Sequence, residues 1–236
     1  MPCRAKEVVH TLKELGDSDV AKHSQRFFKT GKGQYGEGDK FLGIRVPVLR
    51  KQATRYKTLP LVETERLLAS PYHEARLCAL LIWVKQFQAG DDDTRANIYK
   101  SYLSHTKNIN NWDLVDSSAH KIVGGYLQSR SRRPLYQLAK SKSIWERRIA
   151  IIATAAFIAE KDYDDTLALS KLLLEDGEDL IHKAVGWMLR EVGNRKRPAE
   201  EAFLALHYQD MPRTMLRYAI EKFPERRRQQ YLKGRV

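Results

Sequence analysis

Residues 73–87 read HEARLCALLIWVKQF. Leu77, Leu80, Leu81 and Val84 stand at i, i+3, i+4 and i+7, which on a helix aligns all four along one face. The same period marks residues 4–15, 19–29, 46–57, 60–69, 73–89, 93–105, 111–128, 132–140, 144–160, 163–174, 178–193, 198–208, 212–222 and 225–233. Asp17 or Ser18, Ser143 and Asp162 are predicted N-caps, and Pro47, Pro60, Pro134, Pro198 and Pro212 sit where first turns would lie. No stretch alternates with the period of two that a half-buried strand requires. The chain reads as all-α.

These helices are also alike. EARLCALL, ERRIAIIA, IHKAVGWM and MLRYAIEK each carry a basic residue near the start of a small, apolar helix. The markers Arg76, Arg148, Lys183 and Arg217 are spaced by 72, 35 and 34 residues, and NWDLVDSSAHKIVGGYL fills the long first interval. Periods of about 34–47 residues built from helix pairs mark α-solenoids, whose stacked pairs present a concave face. The expectation is one domain over residues 1–236, an α-solenoid of HEAT-like repeats. An ordinary helical bundle with coincidental spacing is the alternative.

Charge speaks to partners. Forty-two Lys plus Arg against 29 Asp plus Glu leave +13, with a pI near 9.7. That balance suits a polyanion, nucleic acid ahead of an anionic membrane. A 42% hydrophobic content excludes a disordered or low-complexity chain. The longest apolar run, 149–159, has 11 residues, whereas a spanning helix needs about 20. It is expected to form a buried core helix, and no membrane partner is expected. Cys3 and Cys78 lack a partner motif, which fits a reducing, cytoplasmic compartment. The seven histidines are scattered and form no CxxC-, HExxH- or HxxxH-type set, so neither a metal site nor a cofactor is expected.

One segment departs from helical patterning: TGKGQYGEGDKF, residues 30–41, with Gly31, Gly33, Gly36 and Gly38. It contains a formal GxGxxG, but a dinucleotide fingerprint needs a preceding strand. Glycine amides could cradle a phosphate, or the segment could simply connect two helices.

On a duplex-binding face, each repeat helix could offer one cation to the phosphates. Arg147, Arg148, Lys183, Arg190, Arg213 and Arg217 recur at suitable places, with Arg130, Arg132, Arg133 and Arg195–Arg197 between helices. Such contacts give salt-dependent, sequence-independent binding. They could equally be solvated helix faces. NNWDLVDSS is more specific: Trp112 and Asp116 lie four apart, one helical turn on the same face. Burying Asp116 without a partner would be costly; pairing it with a nearby Arg, with Trp112 in the core, is the plain structural alternative. Trp187 lies beside Gly186 and near Ala184, small neighbours that would let its ring stand proud, while Trp83 and Trp145 lie along apolar stripes and read as core.

FLGIRVPVLR, NNWDLVDSSAHKIVG, IWERRIAI, LIHKAVGWMLREVG and MPRTMLRYAIEKF occur in that order. Together they resemble the AlkD family of DNA glycosylases, over roughly residues 27–223. The resemblance implies a HEAT-like solenoid holding duplex DNA in its concave face, and excision of N3- and N7-alkylated purines without drawing the lesion into a deep pocket. By motif, Asp116 would be the catalytic carboxylate, Trp112 and Trp187 would flank the lesion's deoxyribose, and Arg148 would contact the backbone nearby. Phe27 falls where some members carry a tyrosine, which removes a hydroxyl. No cofactor is implied, the nucleophile is water, and the protein would work as a cytoplasmic, nucleoid-associated monomer. Lyase chemistry would need an activated amine, and Lys183, the only lysine the motifs place, has no evident activator. A non-catalytic module for damaged or branched DNA, or a protein-interaction scaffold, are the rival readings.

Overall fold

A computed structural model describes residues 4–236; Cys3 lies outside them. Among the described residues the architecture is all-helical, and the only β feature is an isolated parallel bridge between Lys40 and Tyr72. The chain divides into two compact units, Met1–Ser118 and Ala119–Val236.

The first unit holds α1 (Ala5–Glu14), α2 (Ser18–Phe27), α3 (Val46–Arg55), α4 (Leu61–Leu68), α5 (His73–Ala89), α6 (Asp92–Ser104) and nearly all of α7 (Trp112–Ala119). Its centre is α5, which packs against α1, α3, α4 and α6. The sequence stripe understates this burial, because every residue from His73 to Val84 is buried. A helix apolar on all sides belongs inside a core, and Trp83 is fully buried there, as its stripe suggests. Cys78 is buried as well, and burial pushes its thiol up to about 12, leaving an inert packing group.

The second unit begins with a π turn, His120–Gly124, and continues through α8 (Gly125–Leu127), α9 (Arg133–Leu138), α10 (Ile144–Ala153), α11 (Ala155–Ala159), α12 (Asp164–Leu172), α13 (Asp179–Arg195), α14 (Arg197–His207), α15 (Arg213–Ala219) and α16 (Glu225–Leu232). Here α13 is central and packs against α10, α11, α12, α14 and α15. The long helix expected over 144–160 is split at Thr154, whose hydroxyl donates to the Ile151 carbonyl at 2.7 Å. Residues 149–153 of the apolar run are buried, as expected of a core helix, and so is Trp145.

Three helix starts share one construction. Ser70 Oγ accepts from the Tyr72 amide at 3.2 Å, and Arg76 Nη1 returns to the Ser70 carbonyl at 3.2 Å. Ser141 Oγ accepts from the Ser143 amide at 3.0 Å, and Arg147 Nη1 returns to the Ser141 carbonyl at 3.0 Å. Asp176 Oδ1 accepts from the Glu178 amide at 3.0 Å, and His182 Nε2 donates to the Asp176 carbonyl. In each case the acceptor lies two residues before the N-cap and satisfies an amide the helix cannot. The positions 70, 141 and 176 are 71 and then 35 residues apart. The recurring donors are therefore Arg76, Arg147 and His182, one residue before Arg148 and Lys183 in the second and third cases. Of the N-caps read from sequence, Asp17 caps α2 by accepting from the Asp19 and Val20 amides, both at 2.9 Å. Asp162 does not cap α12, which starts after Tyr163; it is paired with Arg132 at 2.6 Å instead.

Glu200 of α14 is buried against Gly193 of α13, where an added Cβ would stand 1.6 Å from Glu200 Oε2. Burial pushes its carboxyl from 4.5 up to about 8. The folded state then holds a proton that the unfolded chain has released, so this site costs stability progressively as pH rises from 4.5 towards 8, and the cost is constant above that. Glu200→Gln is expected to raise the melting temperature more at pH 9 than at pH 5. Parallel thermal melts at the two pH values check this; an equal effect at both would contradict it.

Candidate active site

Trp112 opens α7 and Asp116 follows one turn later; both are half-buried. The local sequence fixes how the helix begins. Asn111 Oδ1 accepts from the Trp112 amide at 2.8 Å, and Asp113 Oδ1 accepts from the Leu114 amide at 2.9 Å. On the inner side, Ser118 Oγ donates to the Leu114 carbonyl at 2.6 Å and lies 2.9 Å from Tyr102 Oη. Burial drives the Tyr102 phenol well above its usual range, and the nearby Asp116 carboxylate adds to that rise. The Asp116 charge is thus felt by a buried phenol.

Trp112 is not a simple core residue. Its indole stacks on Phe28 at 5.2 Å between centroids and 19° between planes, and Phe27 meets it edge-on at 5.9 Å and 69°. Phe27 itself is 57% exposed. An exposed aromatic with no hydroxyl, leaning on a half-buried indole, offers an apolar edge rather than a hydrogen bond.

The glycine-rich segment is folded beneath this group. The Gly31 amide donates to Gln34 Oε1 at 3.0 Å, Gly33 to Glu37 Oε2 at 2.7 Å and Gly36 to the Lys29 carbonyl at 3.2 Å. Those three amides are thereby committed within the protein, which leaves little of the phosphate cradle weighed from sequence. At Gly36 a Cβ would stand 2.4 Å from the Phe28 carbonyl, so only glycine lets the segment lie this close to the aromatic group.

In the second unit, Trp187 on α13 is half-buried and lines a cavity of about 320 Å³ with His120, Ile152, Ile158, Met188 and Glu191. Gly186 serves helix packing, since a Cβ there would lie 2.4 Å from the Met215 carbonyl on α15. The indole Nε1 donates to Glu191 Oε1 at 3.3 Å, and Arg195 pairs with the same carboxylate at 2.9 Å.

The cations divide into two groups. Arg147 binds Asp176 at 2.6 Å and the Ser141 and Lys142 carbonyls, both at 3.0 Å. Arg148 is buried and donates to the Leu180 carbonyl, and Arg190 pairs with Glu221. Arg132 bridges Asp162 and Asp165 at 2.6 Å each and covers the Phe157 ring at 3.9 Å. These guanidinium groups are held in internal contacts. Arg213 and Arg217 are exposed, the former donating to the Leu232 carbonyl at 2.7 Å. Lys183 is half-exposed and pairs with Asp179 at 2.7 Å, holding that carboxyl below its usual range. Among the described residues, no three His, Cys, Asp or Glu side chains gather to hold a metal ion, and no helix is long and apolar enough to cross a membrane.

Sequence reasoning missed the support under Trp112. His73 is 2% exposed, with Nδ1 3.0 Å from Asp39 Oδ2 and Nε2 2.8 Å from Asp113 Oδ2. Arg76 Nη2 donates to Asp39 Oδ1 at 2.6 Å. A histidine at the start of a helix gives no periodic signal, and its partners are 34 and 40 residues away.

The described residues form an all-helical protein with an aromatic and a carboxylate, Trp112 and Asp116, one turn apart on α7. The family described as DNA alkylation repair enzyme matches residues 8–223. The chain belongs to that family. Among solved structures it is similar to a predicted DNA alkylation repair enzyme from Enterococcus faecalis, at 15% identity and a TM-score of 0.68, over 89% of this chain and 97% of that one. That likeness shows a shared fold. A comparison with curated proteins finds no match.

Proposed function

We propose that the protein is a monofunctional DNA glycosylase that hydrolyses the N-glycosidic bond of cationic N3- or N7-alkylated purines in duplex DNA, without flipping the base. The observation that carries this reading is Asp116 beside Trp112 on one face of α7, both reachable from solvent, in a chain of the alkylation-repair family. An alkylated purine already bears positive charge. When the C1′–N bond breaks, its electron pair neutralises the base, so no general acid is needed. The sugar passes through an oxocarbenium-like state that a carboxylate stabilises. Water then adds at C1′ and gives up its proton to Asp116 or solvent. Indole faces favour the polarised sugar, worth about 0.5–2 kcal/mol each depending on solvation, and Trp112 and Trp187 are assigned that role.

The recurring helix starts support a HEAT-like repeat, and we assign the duplex to the concave face of such a solenoid, with both units acting as one domain. Arg213, Arg217 and Lys183 suit the phosphates best, being exposed or half-exposed. Arg147, Arg148 and Arg190 first hold helices together, so any DNA contact they make is shared with that task. Phe27 offers an apolar edge to the duplex. The protein is proposed to act as a cytoplasmic monomer. Release of 7-methylguanine and 3-methyladenine from methylated duplex DNA, followed by chromatography, tests the reading. Release well above the spontaneous rate is expected; binding without release would favour a non-catalytic module.

A further inference from the structure

The geometry points to His73 as the positioning residue for Trp112: clamped between Asp39 and Asp113, it fixes the start of α7 and the aromatic stack that holds the indole in its working orientation. This rests on the role proposed above for Trp112.

Both ring nitrogens of His73 face carboxylates, at 3.0 Å to Asp39 and 2.8 Å to Asp113. A neutral imidazole can donate to only one of them, so the arrangement calls for the imidazolium. Its pKa, raised to about 9, agrees: burial opposes the charge, but Asp113 and Asp39 overcome it against the opposing Arg76. The groups facing His73 are Asp39 from the glycine-rich segment, Arg76 from α5 and Asp113 from α7. With His73 charged, two anions balance two cations, which makes burial of the set tolerable. Glu74, next to His73, is turned away to accept from the Leu42, Gly43 and Ile44 amides at 2.9, 2.7 and 3.2 Å.

Two routes lead from this cluster to Trp112. Through the backbone, Asp113 holds the first turn of α7, and Asn111 Nδ2, 3.4 Å from Asp39 Oδ2, ties the preceding residue to the same cluster. Through the rings, His73, Phe41 and Phe28 contact one another, with centroids 4.5 Å (His73–Phe41), 5.1 Å (Phe41–Phe28) and 5.0 Å (His73–Phe28) apart, and Phe28 stacks on Trp112 at 5.2 Å and 19°. The indole thus rests on Phe28, a ring that itself touches the buried His73. Neither route touches the reacting atoms, so His73 acts through Trp112 and not on the substrate.

The test uses the full chain with His73→Gln and, separately, Phe28→Leu, which removes a ring and leaves the ion cluster whole. Single-turnover excision, duplex affinity and the Trp112 indole ¹H–¹⁵N resonance, assigned with Trp112→Phe, are read together. Both variants are expected to lower the excision rate about ten- to a hundredfold. Duplex affinity should hold, and the Trp112 resonance should shift or broaden while that of Trp187 stays. If His73→Gln does not fold, Phe28→Leu decides. An unmoved Trp112 resonance with wild-type excision in a folded variant overturns the proposal. Should the wild type excise nothing, the glycosylase reading fails on that result, and the resonance alone still judges whether His73 positions Trp112.

Discussion

Asp116→Asn is expected to lower single-turnover release of 7-methylguanine by about a hundredfold or more, the scale seen when a preorganised charge-stabilising group is removed, while the mutant still binds duplex DNA. The substitution keeps the shape and one acceptor oxygen, removes the charge and puts a donor NH2 in place of the second oxygen. Asp116 is half-buried, and the Ser118 hydroxyl facing Tyr102 is untouched. The charge itself is the reagent. A departing cationic purine leaves positive character on the sugar, and a half-buried carboxylate stabilises it more strongly than one in bulk water. Titration of duplex against the mutant at fixed salt separates the two quantities. Equal excision by mutant and wild type would move the catalytic role away from Asp116.

Gly43→Ala is expected to destabilise the first unit by about 3 kcal/mol or more, the sum of a left-handed backbone held by a non-glycine residue and a steric overlap in a packed region. Gly43 has φ of +83°, and a Cβ there would stand 1.9 Å from the Asp17 carbonyl oxygen and 2.7 Å from the Ala21 amide. Neither neighbour is a side chain that can swing aside. Its own amide donates to buried Glu74 Oε1 at 2.7 Å, so a backbone shift to relieve the overlap would break that bond too. At roughly 2–4 °C per kcal/mol for a chain of this size, the melting transition should fall by about 6 °C or more. A thermal melt followed by circular dichroism checks it; a fall under about 2 °C would mean the backbone at Gly43 adapts.

The sequence carried most of the helices because their information is local. HEARLCALLIWVKQF specifies a helix from its own period, and residues 73–89 are helical as read. Interruptions were less legible. Thr154, which splits the 144–160 segment, looks like any small polar residue in an apolar run, and its effect depends on a hydroxyl reaching Ile151. The π turn at His120–Gly124 follows from close packing, since a Cβ on Gly124 would lie 2.1 Å from the Ala153 carbonyl. Trp112 and Asp116 could be singled out because their spacing is a helical turn. Asp39, His73 and Asp113 could not, because only tertiary folding brings them together. The basic residues were the least legible. Arg148 and Arg217 look equivalent in sequence, yet one is buried and the other exposed.

The helix starts at Ser70, Ser141 and Asp176 bear on how the chain folds. Each closes on itself across seven residues, an acceptor and a side chain returning to it. A closure that short spends little chain entropy, so each can form while the rest of the polypeptide is still open. Contacts so local favour rapid folding, and they set the direction of α5, α10 and α13 before those helices meet their neighbours. The arginines among them, which a composition count assigns to a polyanion, would then act first as folding signals.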